Sequence, residues 1–350
     1  LLISITLLLA IKGISLIPII NEFAEAIYDF NLSDQAISKI KDQVYDKADT
    51  NIILINSRNL DYESFVGIID KIKPHSRVVG VLKSEDTSTF NSVYDNYKND
   101  AKIVFGDEAG DSKYFSSKLS DEANHKTVRK FEALSAGKNS FAVELLKRAF
   151  PSRFQTLLQR KHKSEIINYI GSANRFINYS ADDIIQDDSL DLSVFNNKIV
   201  IVGAYYGDDE FKNLKSLYFT PLNDNPSGRA FPDMSAAEIS ANICSMCVNQ
   251  NYIEKLNFWI SLLIAAIISI ANSLLFYSLI KKNEKIYEIV SLFIFLLESI
   301  ILLALSLFLR LNYQIEANLT IVVLFLAVSL FAFELYNESI KPIRELYKNK

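Results

Sequence analysis

Three sets of residues in this sequence have types and spacing that could do chemistry. The first is the acidic run Asp208-Asp209-Glu210, just after the apolar stretch Ile199-Val200-Ile201-Val202 and its terminal Gly203. Read as a buried parallel strand, that stretch delivers the carboxylates to the crevice beyond the strand ends, where open α/β sheets bind ligands. Carboxylates there can hold a cation or an amine, and Thr220 can add a hydroxyl oxygen. Gly203, Asp208, Asp209 and Thr220 are therefore the candidate ligand-binding residues. The competing reading is a solvated loop in which an Asp caps the next turn and Gly203 serves close packing.

The second set is Cys244-x-x-Cys247. A redox pair needs a strand-to-helix turn before the first Cys, whereas this pair falls late in an expected helix. It reads as small core residues, with a local disulfide left open. His75, His125 and His162 lie far apart with no metal spacing, so no metal and no cofactor is expected. No G-x-S-x-G elbow is present, and no catalytic role is expected. The third set is Lys12 and Glu298. Both fall inside apolar stretches, where ionisable groups are costly and suggest function. At about 1.5 Å per residue, both lie roughly 14–18 Å from the same boundary, so an interhelical pair is feasible. The alternatives are that Lys12 snorkels and that Glu298 is protonated or faces another chain.

These side chains need elements to position them. The chain is 49% apolar, 22% charged and carries a net charge of −4, which looks like an ordinary globular protein and argues against nucleic acid as a partner. The apolar residues are unevenly spread, however. Residues 1–20, 257–280, 286–309 and 318–336 are long apolar runs. A bilayer core of about 30 Å needs about 20 such residues in a helix, so four transmembrane helices are expected. The link Lys281-Lys282-Asn283-Glu284-Lys285 is basic, as is the tail 337–350 with Lys341, Arg344, Lys348 and Lys350. Basic segments stay cytoplasmic, which puts residues 21–256 outside. A cleaved signal peptide ending near Ala24-Glu25-Ala26 competes for the first span and leaves the same region outside.

Within residues 21–256, strand-like runs occur at 51–56, 77–82, 101–106, 166–170 and 198–204. Helical patterns occur at 33–40, 62–72, 140–150 and 235–249, with Pro151 expected to end the third. Continuous Val/Ile-rich strands alternating with helices imply an α/β domain with a mostly parallel sheet.

The stretch 198–253 carries the most information. A strand ending at Gly203 leads to Phe219-Thr220-Pro221-Leu222, then Pro232-Asp233, then a helix with Ala241-Asn242-Ile243. Upstream lie Asp49-Thr50-Asn51-Ile52-Ile53, Ser140-Phe141-Ala142 and Ile166-Ile167-Asn168-Tyr169. Together with one apolar span before and three after, this order resembles the CHASE2 family of bacterial extracytoplasmic sensory domains. Two polar positions depart from the family pattern. Ser240 stands where a His is common, and Gly80-Val81-Leu82-Lys83 lacks a terminal Asp.

The resemblance implies a multi-pass protein of the bacterial inner membrane, in contact with the lipid bilayer. Its outer domain would bind a small ligand or an envelope protein, and its spans would signal to a partner. A homodimer is expected by analogy with receptors. The sequence contains no Gly-rich kinase loop, phosphoacceptor-His domain or cyclase domain. Either it is part of a longer chain, or it signals through a separate protein. A structural or docking subunit of an envelope complex is the alternative role.

Overall fold

The computed structural model describes residues 48–340 except 59, 84–86, 108–112, 118–126, 136, 188, 207–216, 224–231, 283 and 318–319. The expected helix at 33–40, the first apolar stretch, Lys12, Asp208, Asp209 and the tail 341–350 lie outside the described residues. The chain divides into two compact units that meet in sequence between Ile253 and Glu254.

The first unit is built on a six-stranded sheet. Its strands are β1 (Asp49–Asn56), β2 (Val78–Leu82), β3 (Ile103–Asp107), β4 (Phe115–Ser116), β9 (Phe176–Ser180) and β10 (Ile199–Gly203), in the order β4-β3-β2-β10-β1-β9. Every pairing in it is parallel, with Ile52 opposite Ile199 and Val78 opposite Ile199 on the other side. Three small antiparallel pairs surround it: β5 (Lys130–Glu132) with β8 (Ser164–Ile166), β6 (Leu134–Ser135) with β7 (Lys138–Asn139), and β11 (Leu217–Tyr218) with β12 (Met234–Ser235).

Helices cover both faces, which is why β2 and β10 are buried along their whole length. One face packs on α1 (Tyr62–Ile72), α2 (Thr87–Tyr97) and α5 (Ala181–Gln186) through Phe65, Ile68, Phe90, Val93 and Ile184. The other packs on α3 (Phe141–Ala149), α4 (Pro151–Gln159) and α6 (Ala236–Asn249) through Phe141, Leu145, Phe154 and Ile239. Two strand glycines set how closely α3 approaches. A Cβ on Gly80 would lie 2.7 Å from Phe141 Cζ, and one on Gly106 would lie 2.6 Å from Phe141 Cδ2.

One sequence expectation needs correction and another needs extending. The run at 166–170 is not a strand of the main sheet. Only Ser164–Ile166 is extended into a ladder, and the edge strand is the more polar Phe176–Ser180. The apolar side chains of Ile166, Ile167 and Tyr169 are buried, but side chains satisfy much of the backbone there. Asn242 Oδ1 accepts from Ile170 N at 2.7 Å, and Met246 Sδ accepts from Asn168 N at 3.3 Å. Burial without a neighbouring strand mimics strand hydropathy. The helix at 140–150 does end before Pro151, as expected, but Pro151 also has a second role. It opens α4, where a missing N–H costs nothing.

The second unit holds α7 (Phe258–Lys282), α8 (Glu284–Tyr313) and α9 (Thr320–Leu335), with β13 (Glu254–Lys255) pairing in parallel with β14 (Ile315–Glu316). Val322, Phe325 and Leu326 of α9, Ala265 of α7 and Leu302 of α8 form its core. Two of its helical stretches, Phe258–Lys281 and Ile289–Tyr313, are long and apolar enough to cross a membrane. Helix α9 is shorter, at 16 residues.

Candidate functional site

The crossovers place the site. β1 is followed by α1 and β2 by α2 on one face, while β10, which lies between them, leads on to α6 on the opposite face. In open α/β sheets, connections that leave in opposite directions mark the carboxyl ends of the strands between them, here β1, β10 and β2, as the edge where ligands bind.

Polar groups gather at this edge. Asn56, the last residue of β1, donates through Nδ2 to Tyr205 O at 3.0 Å and accepts from Arg58 N at 3.2 Å. Ser57 is buried and its N–H donates to Gly203 O at 3.2 Å, while its hydroxyl has no partner among the described residues. A buried hydroxyl without a bond is costly, and a ligand group would relieve it. Lys83 at the end of β2 pairs with the buried carboxylate of Asp107 at the end of β3, 3.5 Å away.

Of the residues singled out in the sequence, Gly203 and Thr220 are described. Gly203 is buried at the end of β10, and a Cβ there would meet Ala237 Cβ of α6 at 3.0 Å. The glycine lets the first turn of α6 seat against the sheet. Thr220 is fully buried and its hydroxyl donates to Asp233. Asp233 also accepts from Thr220 N at 2.7 Å and from Asn223 Nδ2 at 3.3 Å. Burial pushes the Asp233 carboxyl up to about 7, against the hydrogen bonds from Thr220, which favour its ionised form. The cluster ties residues 217–223 to the two residues that precede the N-cap of α6.

Helix α6 is where sequence reasoning missed most. Glu238, Asn242, Ser245 and Asn249 recur at helical spacing, the first three buried and Asn249 exposed at the end of the helix. Glu238 closes a capping box with Ser235 and reaches Ala173 N at 3.0 Å. Asn242 Nδ2 donates to Gly171 O at 2.8 Å while its oxygen takes Ile170 N. Ser245 donates to Asp49, which also accepts from Asn249 Nδ2 at 2.7 Å. A row of polar residues at i, i+4, i+7 and i+11 within an otherwise apolar helix was the available signal. The two cysteines of α6 are free and buried, and burial pushes the Cys247 thiol up to about 12 and Cys244 well above its usual range. Thiols held protonated in this way are poor nucleophiles. His162 sits 3.1 Å from Glu165, which Arg160 also binds at 2.7 Å.

In the second unit Glu298 of α8 accepts from Asn272 Nδ2 of α7 at 2.9 Å. This is an interhelical bond in the middle of two apolar helices.

A family model for the CHASE2 domain matches residues 16–276, from the end of the first apolar stretch into α7. No curated protein and no solved structure matches the chain. The match spans most of the sequence, and the chain belongs to the CHASE2 family, whose domains are extracytoplasmic and sensory.

Proposed function

We propose that this CHASE2 chain is a bacterial inner-membrane sensor. Its α/β unit takes a small cationic or amine ligand in the crevice beyond β1, β10 and β2, and its helices relay the change to a separate partner. The single observation that carries the reading is the unpartnered buried hydroxyl of Ser57 beside Gly203, at the point where the crossovers diverge. The Asp208 and Asp209 carboxylates, five and six residues after the end of β10 in sequence, supply the negative charge for such a ligand.

The relay follows from connectivity. Residues 217–223 are bonded to Asp233, Ser235 caps α6, and α6 is joined in sequence to α7 by eight described residues, 250–257. A ligand shifts this path only by binding one arrangement more tightly than the other. Two helices of membrane-crossing length, with a shorter apolar helix and the N-terminal apolar stretch, support four spans with the α/β unit outside.

The test is thermal unfolding of the full chain in detergent, titrated separately with calcium chloride and with putrescine. A saturable rise in melting temperature with either probe, abolished in the Asp208→Asn/Asp209→Asn double variant, is the expected result. No rise with either probe, or an unchanged rise in the variant, removes the crevice as the sensing site.

A further inference from the structure

The three-helix unit contains a polar cavity that the sensing path does not use. It is about 10 Å³, room for one water-sized group, and Ser269, Asn272 and Ser273 of α7 face Ser329 of α9 across it, with Phe276 and Phe295 beside them. The Ser329 hydroxyl is shut off from solvent and has no partner among the described residues. Asn272 spends its amide N–H on Glu298, so a carboxylate stands one hydrogen bond behind the cavity wall.

Among the described residues, no basic side chain pairs with Glu298. The basic residues between 258 and 335 are Lys281, Lys282, Lys285 and Arg310, all toward helix ends. Lys281 lies over the Tyr277 ring and Arg310 pairs with Glu316 at 2.9 Å. Glu298 is midway along α8, about 20 Å from either end. A carboxylate at such depth in hydrocarbon is strongly disfavoured without a cation.

We propose that this polar seat receives the Lys12 ammonium from the chain's own N-terminal apolar segment. Lys12 is the sole charged residue among positions 1–20. An ammonium matches the cavity in size, and its three donors suit the Ser329 hydroxyl, the Asn272 side-chain oxygen and the carboxylate behind them. The seat then joins the segment before the α/β unit to the helices after it, so both ends of that unit are fastened to one bundle.

The experiment uses the full chain in bacterial membranes. In the Lys12→Cys/Ser329→Cys variant, mild oxidation should link the N-terminal segment to the C-terminal helices. After protease cleavage within the α/β unit the two fragments then stay together until reduced, while neither single variant does this. The charge swap adds a second readout. Lys12→Glu and Glu298→Lys each lower the yield of monodisperse protein about tenfold, and the double variant returns it to within about twofold. A cross-link supports the seat even where swapped chains fail to insert. Its absence at full expression overturns the proposal and leaves water as the occupant.

Discussion

Helices α6 and α7 are neighbours in the chain and solve opposite solvent problems. Nearly every residue of α6 is buried, yet it carries Glu238, Asn242, Ser245 and Asn249. Helix α7 has no charged residue before Lys281, yet Trp259, Leu263, Ile267, Ile270 and Leu274 are exposed. In α6 Glu238, Asn242 and Ser245 each bond a backbone or side-chain partner on another element, so polarity specifies where the helix docks. Among the described residues the exposed apolar row of α7 meets no other element, and lipid is the solvent that would suit it. Burial and polarity are therefore independent quantities here, and their combination separates a docked helix from a membrane-facing one.

The largest expected effect breaks α6. Asn242→Leu leaves Ile170 N, Gly171 O and neighbouring groups unpaired in the core, and should cost about 3–4 kcal/mol. Chemical denaturation of the full chain in detergent measures the loss, and hydrogen exchange should rise at Ile170. If stability stays unchanged, the polar row is decoration. The matching change in α7 is Ile270→Asp. On the membrane reading it adds about 3 kcal/mol to insertion and depletes the membrane fraction. A water-exposed helix would tolerate it, and undiminished membrane recovery would remove the contrast with α6.

A smaller effect concerns the approach to α6. The folded-state pKa of Asp233 is raised above its unfolded value, so its contribution to stability is complete below about pH 4. That contribution is lost as pH rises through about 7. The outer unit should thus lose about 2 kcal/mol between pH 5 and pH 8 from this group. Asp233→Asn should flatten the profile in melting experiments; a profile of equal slope assigns the pH dependence elsewhere. The smallest effect is a control on a solvated helix. Gly67 of α1 is exposed and a Cβ there meets nothing within 4 Å. Gly67→Ala should stabilise by about 0.5–1 kcal/mol through backbone entropy, read as a small rise in denaturation midpoint. A loss instead would mean that exposed helix positions in this unit are also packed.

Much of the sheet was legible because its strands are buried on both faces. Ile52–Ile55, Val78–Leu82 and Ile199–Val202 must be apolar at consecutive positions, and few other elements share that pattern. Helix α2 was harder, since Phe90, Val93 and Tyr97 are its sole buried residues in a polar run. The run at 166–170 misled because hydropathy records burial and not which group bonds the backbone. The site was only partly legible. Gly203 announced a close approach, but Ser57 and the Lys83–Asp107 pair carry no local signature. Ser57 reaches Gly203 because β10 lies beside β1, and Lys83 reaches Asp107 because β3 lies beside β2.

By itself the sequence determined a mostly parallel α/β unit, apolar helices of membrane-crossing length beside it and membership of the CHASE2 family. Each is a matter of periodicity, length or motif order, and those are properties of neighbouring residues along the chain. The tertiary structure alone decided the strand order, the divergence of the connections at β10, the polar docking of α6 to Asp49 and Gly171, and the Asn272–Glu298 bond. Those depend on partners far apart in the sequence, where hydrogen-bond geometry and close packing choose among many pairings that composition leaves equal.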